Sequence, residues 1–523
     1  MTEPQNTALP QDAGVKRWTL ISTILASGSV FLSTSVLNVA LPAIDRSLQA
    51  GFSGLQWIVD GFLLTLASLL ILGGALGDIF GKRRIMLIGL FGFSATSLFC
   101  GLAPSTPWLI AGRVLQGVAG ALLVPGSLAL IRSVYQDKEQ RGNAIGAWSG
   151  WSGISTVIGP LIGGWLVGAL SWRWAFFINL PLLAATGFIM WRCVPEISPA
   201  EASRSLDIPG ALSVTLGLAG IAYGLIEGPT IGWDSPSILA ALALGTAALG
   251  IFPWIESRTS EPMVPLELFS AWNFTGANLA TFGVYAALQG STFILVIYIQ
   301  NIMGYSPLQS GLMLAPISLI LLILSPWMGR LAGRHGPRLF MTIGPLVTAL
   351  GLGLMTLLHP DSKLWQELIP MIAVFGIGMG ITVAPLTNTV MSAVAEERSG
   401  IAAAFNNMVS RVAGLIAIAL IGIVVTGTFS QHIQDRINQL ELSSQMESQL
   451  QEISENPTAG SSLNGLSSQA VRAYETAFTS AFRDAMALNA GLAGLGGALS
   501  LALIKNQGEQ APLDIREDES THP

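Results

Sequence analysis

Long apolar stretches alternate with short polar ones along almost the entire chain. A helix that crosses a bilayer needs about 20 mainly apolar residues, and about fourteen stretches reach that length. Their predicted bounds are near 17–41, 56–76, 84–104, 108–132, 142–169, 174–193, 208–227, 236–255, 273–298, 309–331, 338–358, 367–393, 400–428 and 480–504. The pattern predicts an all-α membrane protein, and an even number of spans places both termini on the same side of the membrane.

A glycine-rich polar turn, GALGDIFGKRR from Gly74 to Arg84, separates the second span from the third. Glycine lets helices approach closely, and a run of three bases does not cross a bilayer, so we expect this turn on the cytoplasmic side. The stretch GRLAGRHGPR from Gly329 to Arg338 repeats the design. The matching positions are Gly74 with Gly329, Leu76 with Leu331, Gly81 with Gly336 and Arg83 with Arg338, with Gly333 in the place of Asp78. Such an internal repeat predicts two homologous halves.

Two bundles of six helices account for twelve of the fourteen predicted spans. The positions of the glycine-rich turns place the two remaining spans between the halves. The predicted organisation is a six-helix bundle over 1–193, a linker with two inserted helices over 194–268, a second six-helix bundle over 269–504 and a disordered cytoplasmic tail over 505–523. The second bundle includes a long external segment near 429–479. This segment is rich in Gln, Ser and Glu, and we expect surface helices or a flexible loop there.

Composition and charge agree with a membrane location. Hydrophobic residues make up 51% of the 523 and charged residues only 11%, whereas about a quarter of a soluble domain is charged. Most Lys and Arg residues fall in loops on the side of the Gly74 turn. This bias predicts a multi-pass protein of the cytoplasmic (inner) membrane, with the lipid bilayer around it and both termini in the cytoplasm.

Several classes of chemistry find no support in the sequence. Cys100 and Cys193 lie in separate apolar stretches and the four histidines lack ligand-like spacing, so neither a disulfide framework nor a metal site is expected. No phosphate-binding GxxxxGK[ST] loop occurs, which disfavours ATP as the energy source. Constellations of nucleophile and base are also missing. We expect a protein that is not an enzyme, uses no cofactor and binds no nucleic acid.

Ionisable side chains inside predicted spans are the sharpest functional signal, because a charge at the bilayer centre costs at least about 2.5–3.5 kcal/mol. Asp60 lies in LQWIVDGFLLTLASLL, a few residues into the second span. In a water-filled cavity, its carboxylate could take a proton from outside or hold a cationic substrate, and these two uses exclude each other. The alternative is an interfacial acid in contact with external water.

Two arginines inside spans each lie on a polar helical face. The face of Arg113 also holds Gln116, Gly117 and Gly120. The face of Arg411 also holds Gly400, Asn407 and Gly414. The guanidinium of Arg113 could stabilise a nearby carboxylate and change partners during transport, so Asp60 and Arg113 are the candidate proton-coupling residues. The alternatives are a structural salt bridge for Arg113 and helix packing for Arg411.

The fifth span, GAWSGWSGISTVIGPLIGGWL, combines small residues with a proline. The residues concerned are Gly153, Gly159, Pro160, Gly163 and Gly164. A GxxxG pattern lets helices pack closely, and proline interrupts the hydrogen-bond ladder, so we expect a hinge or a tight seal. Packing without any gating role is the alternative.

Aromatic and amide side chains at helical spacing are candidates for the walls of a ligand site. The candidate substrate-binding residues are Asn38, Trp57, Gln116, Trp151, Tyr285, Gln289, Asn407 and Arg411. Tryptophan and tyrosine also serve as anchors at the membrane interface, which is the alternative for the aromatic members.

Taken in order, these stretches resemble the signature of the drug:proton antiporter family with fourteen spans, within the major facilitator superfamily, over nearly the whole chain. The stretches that carry the resemblance are VLNVALP (36–42), LQWIVD (55–60), GALGDIFGKRR (74–84), RVLQGVAGA (113–121), GISTVIGPLIGG (153–164), SWRWAFFINLP (171–181) and DIPGALSVTLGLAGIAYGLIEG (207–228). The fifth stretch is the most specific, because it separates exporters from facilitators and importers. The resemblance implies the major facilitator fold with two inserted helices, and export of small amphipathic or cationic compounds by alternating access, driven by proton entry.

The resemblance also implies roles for individual positions. Asp78 and Arg113 resemble a pair that stabilises the outward-facing state and relays charge. The rest of that conformational motif is Gly74, Gly81, Arg83 and Arg84, and the antiporter kink is Gly159, Pro160, Gly163 and Gly164. Many family members carry an acid where this chain has Ser33, so a neutral, zwitterionic or monocationic substrate is expected here rather than a dication.

The sequence thus favours a proton-coupled multidrug exporter whose partners are a small-molecule substrate and protons, and it leaves open whether a periplasmic adaptor extends the path. A dedicated exporter of one endogenous metabolite, lipid or siderophore is the first alternative. The second is a non-transporting membrane receptor or scaffold that uses the external 429–479 segment.

Overall fold

The computed structural model describes residues 13–196, 206–395, 398–439, 451, 453–454, 457–458 and 468–506. These residues form helices and connecting turns, with no strand among them. The helices are α1 (Ala13–Leu48), α2 (Gly51–Phe80), α3 (Lys82–Gly101), α4 (Thr106–Val134), α5 (Lys138–Ala169), α6 (Trp174–Phe177), α7 (Asn179–Cys193), α8 (Ile208–Ile231), α9 (Pro236–Arg258), α10 (Trp272–Asn301), α11 (Pro307–His335), α12 (Pro337–Met355), α13 (Ile369–Ser392), α14 (Ser399–Gln439) and α15 (Ser468–Leu503). A short 3₁₀ helix, Leu266–Ser270, precedes α10, and a π-helical turn, Leu364–Leu368, leads into α13.

Thirteen helical segments in the described part of the chain are long and apolar enough to cross a membrane. In this count α6 and α7 form one segment, Trp174–Cys193. Helix α5 is a further long helix of 32 residues, and its described part includes the apolar stretch Ile158–Ala169. The predicted all-α membrane architecture is confirmed.

Both glycine-rich stretches form tight turns that depend on a left-handed glycine, with φ of +98° at Gly81 and +87° at Gly336. L-amino acids with side chains rarely adopt this conformation. A Cβ atom on Gly81 would also lie 2.7 Å from a carboxylate oxygen of Glu196, and one on Gly336 would collide with the side chain of Asn506. We call the end of the molecule that holds these turns the basic end and the opposite end the far end.

The arginine that follows each of these glycines makes the same contact in both halves. Arg83 donates through Nη2 to the carbonyl oxygen of Trp191 near the end of α7. Arg338 donates through Nε and Nη2 to the carbonyl oxygen of Leu501 near the end of α15, at 3.1 and 2.8 Å. The matching contacts agree with the internal repeat seen in the sequence.

The helices pack as two bundles that meet along two seams. In the first bundle α2 packs along α4 and α1 along α5, while in the second α10 packs along α15 and α12 along α13 and α15. The bundles meet where α2 lies against α14 and where α5 lies against α11. These two seams position the residues that matter below.

Helices α8 and α9 form a hairpin at the place predicted for the two inserted spans. Small residues let them approach closely, since a Cβ atom on Gly220 would lie 2.6 Å from the carbonyl oxygen of Ala241. Helix α8 also packs against α2 and α14, whereas α9 is largely exposed, with Leu244 71% accessible. The hairpin therefore covers the α2–α14 seam and presents α9 to lipid.

The external segment predicted over 429–479 is helical at both ends, since α14 continues to Gln439 and α15 begins at Ser468. Between them, the carbonyl oxygen of Pro457 accepts a hydrogen bond from the hydroxyl of Tyr474 at 2.8 Å. Most of the remaining segment lies outside the described residues, as do residues 1–12, 197–205 and 396–397 and the tail from 507 that was predicted to be disordered.

Candidate functional site

Asp60 lies one helical turn after Gln56 on α2, and this spacing places it on the same face, which is directed toward α14. One turn earlier on that face, the side-chain amide of Gln56 donates to the carbonyl oxygen of Ile418 in α14 at 2.6 Å. The side chain of Asp60 is fully buried, and neither carboxylate oxygen has a hydrogen-bond partner among the described residues. In this conformation the carboxyl group therefore lies in the seam between the bundles rather than in external water.

Arg113 lies inside the first bundle and is also fully buried. Its Nε donates to the carbonyl oxygen of Ile58 at 3.0 Å and its Nη1 to Oε1 of Gln116 at 2.7 Å, while its guanidinium carbon lies 4.1 Å from the ring centroid of Phe62. No carboxylate of the described residues forms an ion pair with Arg113. The expected pairing of Asp60 with Arg113 is absent from this conformation, because Arg113 lies on the α4 side of α2 and Asp60 on the α14 side.

Two of the predicted substrate-binding residues point away from any opening between the bundles. Gln116 has no exposed surface and donates to the hydroxyl of Ser97 on α3 at 2.8 Å. Trp57 faces the inserted hairpin, where its Nε1 donates to a carboxylate oxygen of Glu227 at 2.7 Å and its ring lies 6.4 Å from that of Tyr223. These side chains do not line a ligand site here, since neighbouring helices cover them.

Other predicted wall residues are partly exposed on helices from both bundles. They are Asn38 on α1, Trp151 on α5, Tyr285 and Gln289 on α10, and Asn407 and Arg411 on α14. The guanidinium carbon of Arg411 lies 5.3 Å from the ring centroid of Phe31 on α1. A Cβ atom on Gly414 would lie 2.9 Å from Cγ of Gln289. Helices α1, α10 and α14 thus converge on a polar opening between the bundles.

The conformational motif lies at the basic end, where Nζ of Lys82 is 3.5 Å from Oδ1 of Asp78. A Cβ atom on Gly74 would lie 3.4 Å from Cβ of Pro125 on α4, and the side chain of Arg84 is exposed. Arg113 contacts α2 at Ile58, and 20 residues of helix from there to position 78 span about 30 Å. Asp78 and Arg113 are therefore far apart, and the roles that the family resemblance implies for them stay predictions.

Helix α5 closes the opening at the far end, because its small residues contact both bundles. Pairs that come together within the first bundle are Gly159 with Ser35 and Gly163 with Val36. Pairs across the α5–α11 seam are Gly164 with Pro307 and Pro160 with Gly311. Gly153 belongs to the same helix, and its surroundings lie outside the described side chains. The predicted glycine–proline segment thus forms a tight contact between the two bundles.

The half of α5 nearer the basic end has no such contacts. Cβ atoms added at Gly142, Gly146 and Gly150 would have no neighbour within 4 Å, and Trp151 is 51% exposed. Along this seam the tight contacts of the described glycines therefore lie at the far end.

Three residues that contact the candidate site residues or lie beside them were not predicted as site residues. Glu227 is an acid in an apolar stretch, so the rule that selected Asp60 would also have found it. Gln56 lies one turn before Asp60 at the start of the second span. Phe31 carries no distinguishing signal, because a phenylalanine in a membrane span is ordinary.

The fold and these contacts define a class of protein: an all-α membrane carrier built of two equivalent bundles that bring polar side chains together between them and make a tight contact at the far end. The chain belongs to the Major Facilitator Superfamily, whose sequence profile matches residues 23–418.

Named relatives support a transport function. The chain is 34% identical to Multidrug resistance protein Stp of Mycobacterium tuberculosis (strain CDC 1551 / Oshkosh), over 80% of this chain and 78% of that protein. It is 35% identical to a Methylenomycin A resistance protein of Streptomyces coelicolor, over 78% and 85% of the two chains. It is 32% identical to the Tetracenomycin C resistance and export protein of Streptomyces glaucescens, over 83% and 81%. The chain is a multi-pass membrane transporter related to drug and antibiotic resistance proteins.

A solved structure shares the fold at low sequence identity. A bacterial homolog of the human lysosomal transporter Spinster, in an inward-facing and unoccupied conformation, superposes with a TM-score of 0.64 at 16% identity and covers 95% of this chain and all of that one. This likeness supports the major facilitator fold.

Proposed function

We propose that this protein is a secondary transporter of the cytoplasmic (inner) membrane that exports small amphipathic compounds in exchange for protons. The observation that carries the proposal is the carboxyl group of Asp60, buried without a partner in the α2–α14 seam between the two bundles. The relatives named for multidrug resistance and for antibiotic export support the direction and the substrate class.

Proton exchange follows from where Asp60 lies. An unpaired carboxylate in a membrane interior is strongly destabilised, and a bound proton removes its charge. When the α2–α14 seam opens toward external water, the carboxyl group becomes accessible and can take up a proton from outside, and substrate binding on the cytoplasmic side then releases that proton inward. The protonation of Asp60 and the conformation of the two bundles are thereby linked.

The orientation follows from the positive-inside bias. Lys82, Arg83, Arg330, Arg334 and Arg338 cluster at the basic end, which we place in the cytoplasm. The tight contact between α5 and α11 then lies toward the external side.

Transport by purified protein in liposomes tests this function. Dye efflux driven by an imposed pH gradient is measured for a panel of fluorescent amphipathic dyes of differing charge, with the native chain and with Asp60→Asn. We expect Asp60→Asn to abolish gradient-driven transport, because an amide cannot carry the proton. Asp234→Asn is the matched control, since Asp234 is exposed in the loop between α8 and α9. Undiminished proton-linked transport by Asp60→Asn would refute the role of this carboxyl group.

A further inference from the structure

Arg411 carries a positive charge that no acid of the described residues compensates. Its Nε is buried and has no hydrogen-bond partner, and the ion pairs of the described part of the chain, Lys82 with Asp78 and Arg398 with Glu267, do not include it. The hydroxyl of Tyr285 lies near its guanidinium. A guanidinium left unpaired inside a membrane protein is costly, so such a residue is retained mainly for a function.

The surroundings of Arg411 come from both bundles. Its guanidinium carbon lies 5.3 Å from the ring centroid of Phe31 in the first bundle. Tyr285 and Gln289 belong to the second bundle and are partly exposed on one face of α10. The site therefore offers one planar cation, two aromatic rings and one amide around the opening.

We propose that this opening binds aromatic compounds bearing an acidic group, and that Arg411 binds that group. The planar fork of a guanidinium forms two parallel hydrogen bonds with a carboxylate or sulfonate. Hydrogen bonds between such charged groups are stronger than those between neutral groups. Phe31 and Tyr285 supply faces and edges against which an aromatic ring packs. This inference rests on the proposed function and specifies its substrate class.

The charge of the site differs from the sequence-based expectation of a neutral, zwitterionic or monocationic substrate. A cation would need an acid in the opening, but Asp60 is fully buried in the α2–α14 seam and Glu227 accepts hydrogen bonds from Trp57 and Ser53 beside α8. Among the described residues, these acids do not face the opening that Arg411 faces. Exchange of a monovalent anion for a proton would also move two charges across the membrane, so a membrane potential that is negative inside would assist export.

Binding to the purified full-length protein tests the site without requiring transport. The probes are 2-naphthoate and its uncharged isostere 2-naphthamide, and calorimetry gives the affinity of each. We expect the native chain to bind the acid at least about tenfold more tightly than the amide, because a hydrogen bond to a charged group is worth about 1.5–3 kcal/mol. Equal affinity for the two probes would overturn the proposal. This test uses the native chain alone, so it does not depend on the folding of any variant.

Three substitutions assign the preference to a residue. We expect Arg411→Gln to abolish the preference for the acid and Arg411→Lys to keep part of it, since lysine retains the charge and loses the fork. Arg330→Gln is the matched control, because Arg330 is exposed at the basic end with its guanidinium 5.5 Å from the ring of Trp327. A preference that survives Arg411→Gln would exclude Arg411 as the anion-binding group.

The two proposals fail in different ways. In one outcome the protein binds the acid selectively through Arg411 and yet shows no proton-driven transport in liposomes. This result would support the binding site and refute proton exchange. Proton-driven dye transport with no preference for the acid in the binding assay would refute the proposed anion site and still support proton-coupled export.

Discussion

Two buried charged residues of the first bundle differ in how their polar atoms are satisfied. Arg113 donates through Nε and Nη1 to Ile58 and Gln116 and lies over Phe62, and its Nη2 lacks a partner, whereas neither carboxylate oxygen of Asp60 has a partner among the described residues. Buried polar groups are nearly always hydrogen-bonded, so an unsatisfied one points to a role beyond packing, such as proton transfer. We therefore assign Asp60 to coupling and Arg113 mainly to holding α2 against α4.

Substitution of Arg113 tests this division. We expect Arg113→Lys to lower the free energy of unfolding by about 1.5–3 kcal/mol, because lysine cannot donate to Ile58 and Gln116 at once in the geometry of the fork. The measurement is thermal unfolding of the purified protein in detergent.

Asp60→Asn is the comparison for that experiment, and it should unfold at nearly the native temperature because the amide has nearly the same shape. If Arg113→Lys were as stable as the native chain and lost only proton coupling, Arg113 would belong to the coupling machinery instead.

At this scale the sequence locates the charges but not their neighbours. A charge in an apolar stretch is conspicuous, and Asp60, Arg113 and Arg411 stand out on that ground. Helical periodicity shows which residues share a face, but it does not show which helix that face contacts. For that reason the sequence predicts that Trp57 and Gln116 line a ligand site. In the structure α8 covers Trp57 and α3 covers Gln116.

Among the helices, α5 makes the contact that closes the far end, and this contact is confined to particular positions. Gly164 packs against the α11 backbone, whereas a Cβ atom on Gly168, one turn further on, would have no neighbour within 4 Å. Substitution by alanine should therefore disturb the packing of α5 at Gly164 and be tolerated at Gly168.

We expect Gly164→Ala to open the far end and to slow transport. Its Cβ atom would lie 2.5 Å from the carbonyl oxygen of Pro307 and 2.7 Å from Cα of Leu308, both backbone atoms, so the helices must separate. Spin labels on Leu170→Cys and Gln309→Cys, measured by electron–electron double resonance, should move to longer distances. Gly168→Ala should leave the distances unchanged, and an unchanged distribution for Gly164→Ala would show that this contact does not set the closed state.

The turns between helices are more predictable than the helix ends. Gly81 and Gly336 match in the sequence, and both adopt positive φ in the structure, because glycine just past the end of a helix is the residue that tolerates this conformation best. The polar stretch after position 428 resembles a loop in composition, yet α14 runs to Gln439. Contacts such as Tyr474 with Pro457 are formed between distant segments, and local composition does not reveal them.

For the molecule as a whole, the two bundles and the inserted hairpin are predictable from the apolar spans and the repeated turn. The pairing of α2 with α14 and of α5 with α11 is not, because no local pattern encodes which helices meet between the halves. Glu227 joins the hairpin to α2 through Trp57 and Ser53, so the inserted helices are tied to the seam that holds Asp60.

The central claim is that a proton on Asp60 and a bound solute alternate, and proton release on binding tests it most directly. A compound transported in the liposome panel is added to purified protein in weak buffer, and the pH change is followed with an indicator dye. We expect the native chain to release protons in proportion to the solute bound, and Asp60→Asn to bind the solute without releasing any. Binding by the native chain with no proton release, or equal release by Asp60→Asn, would contradict the claim.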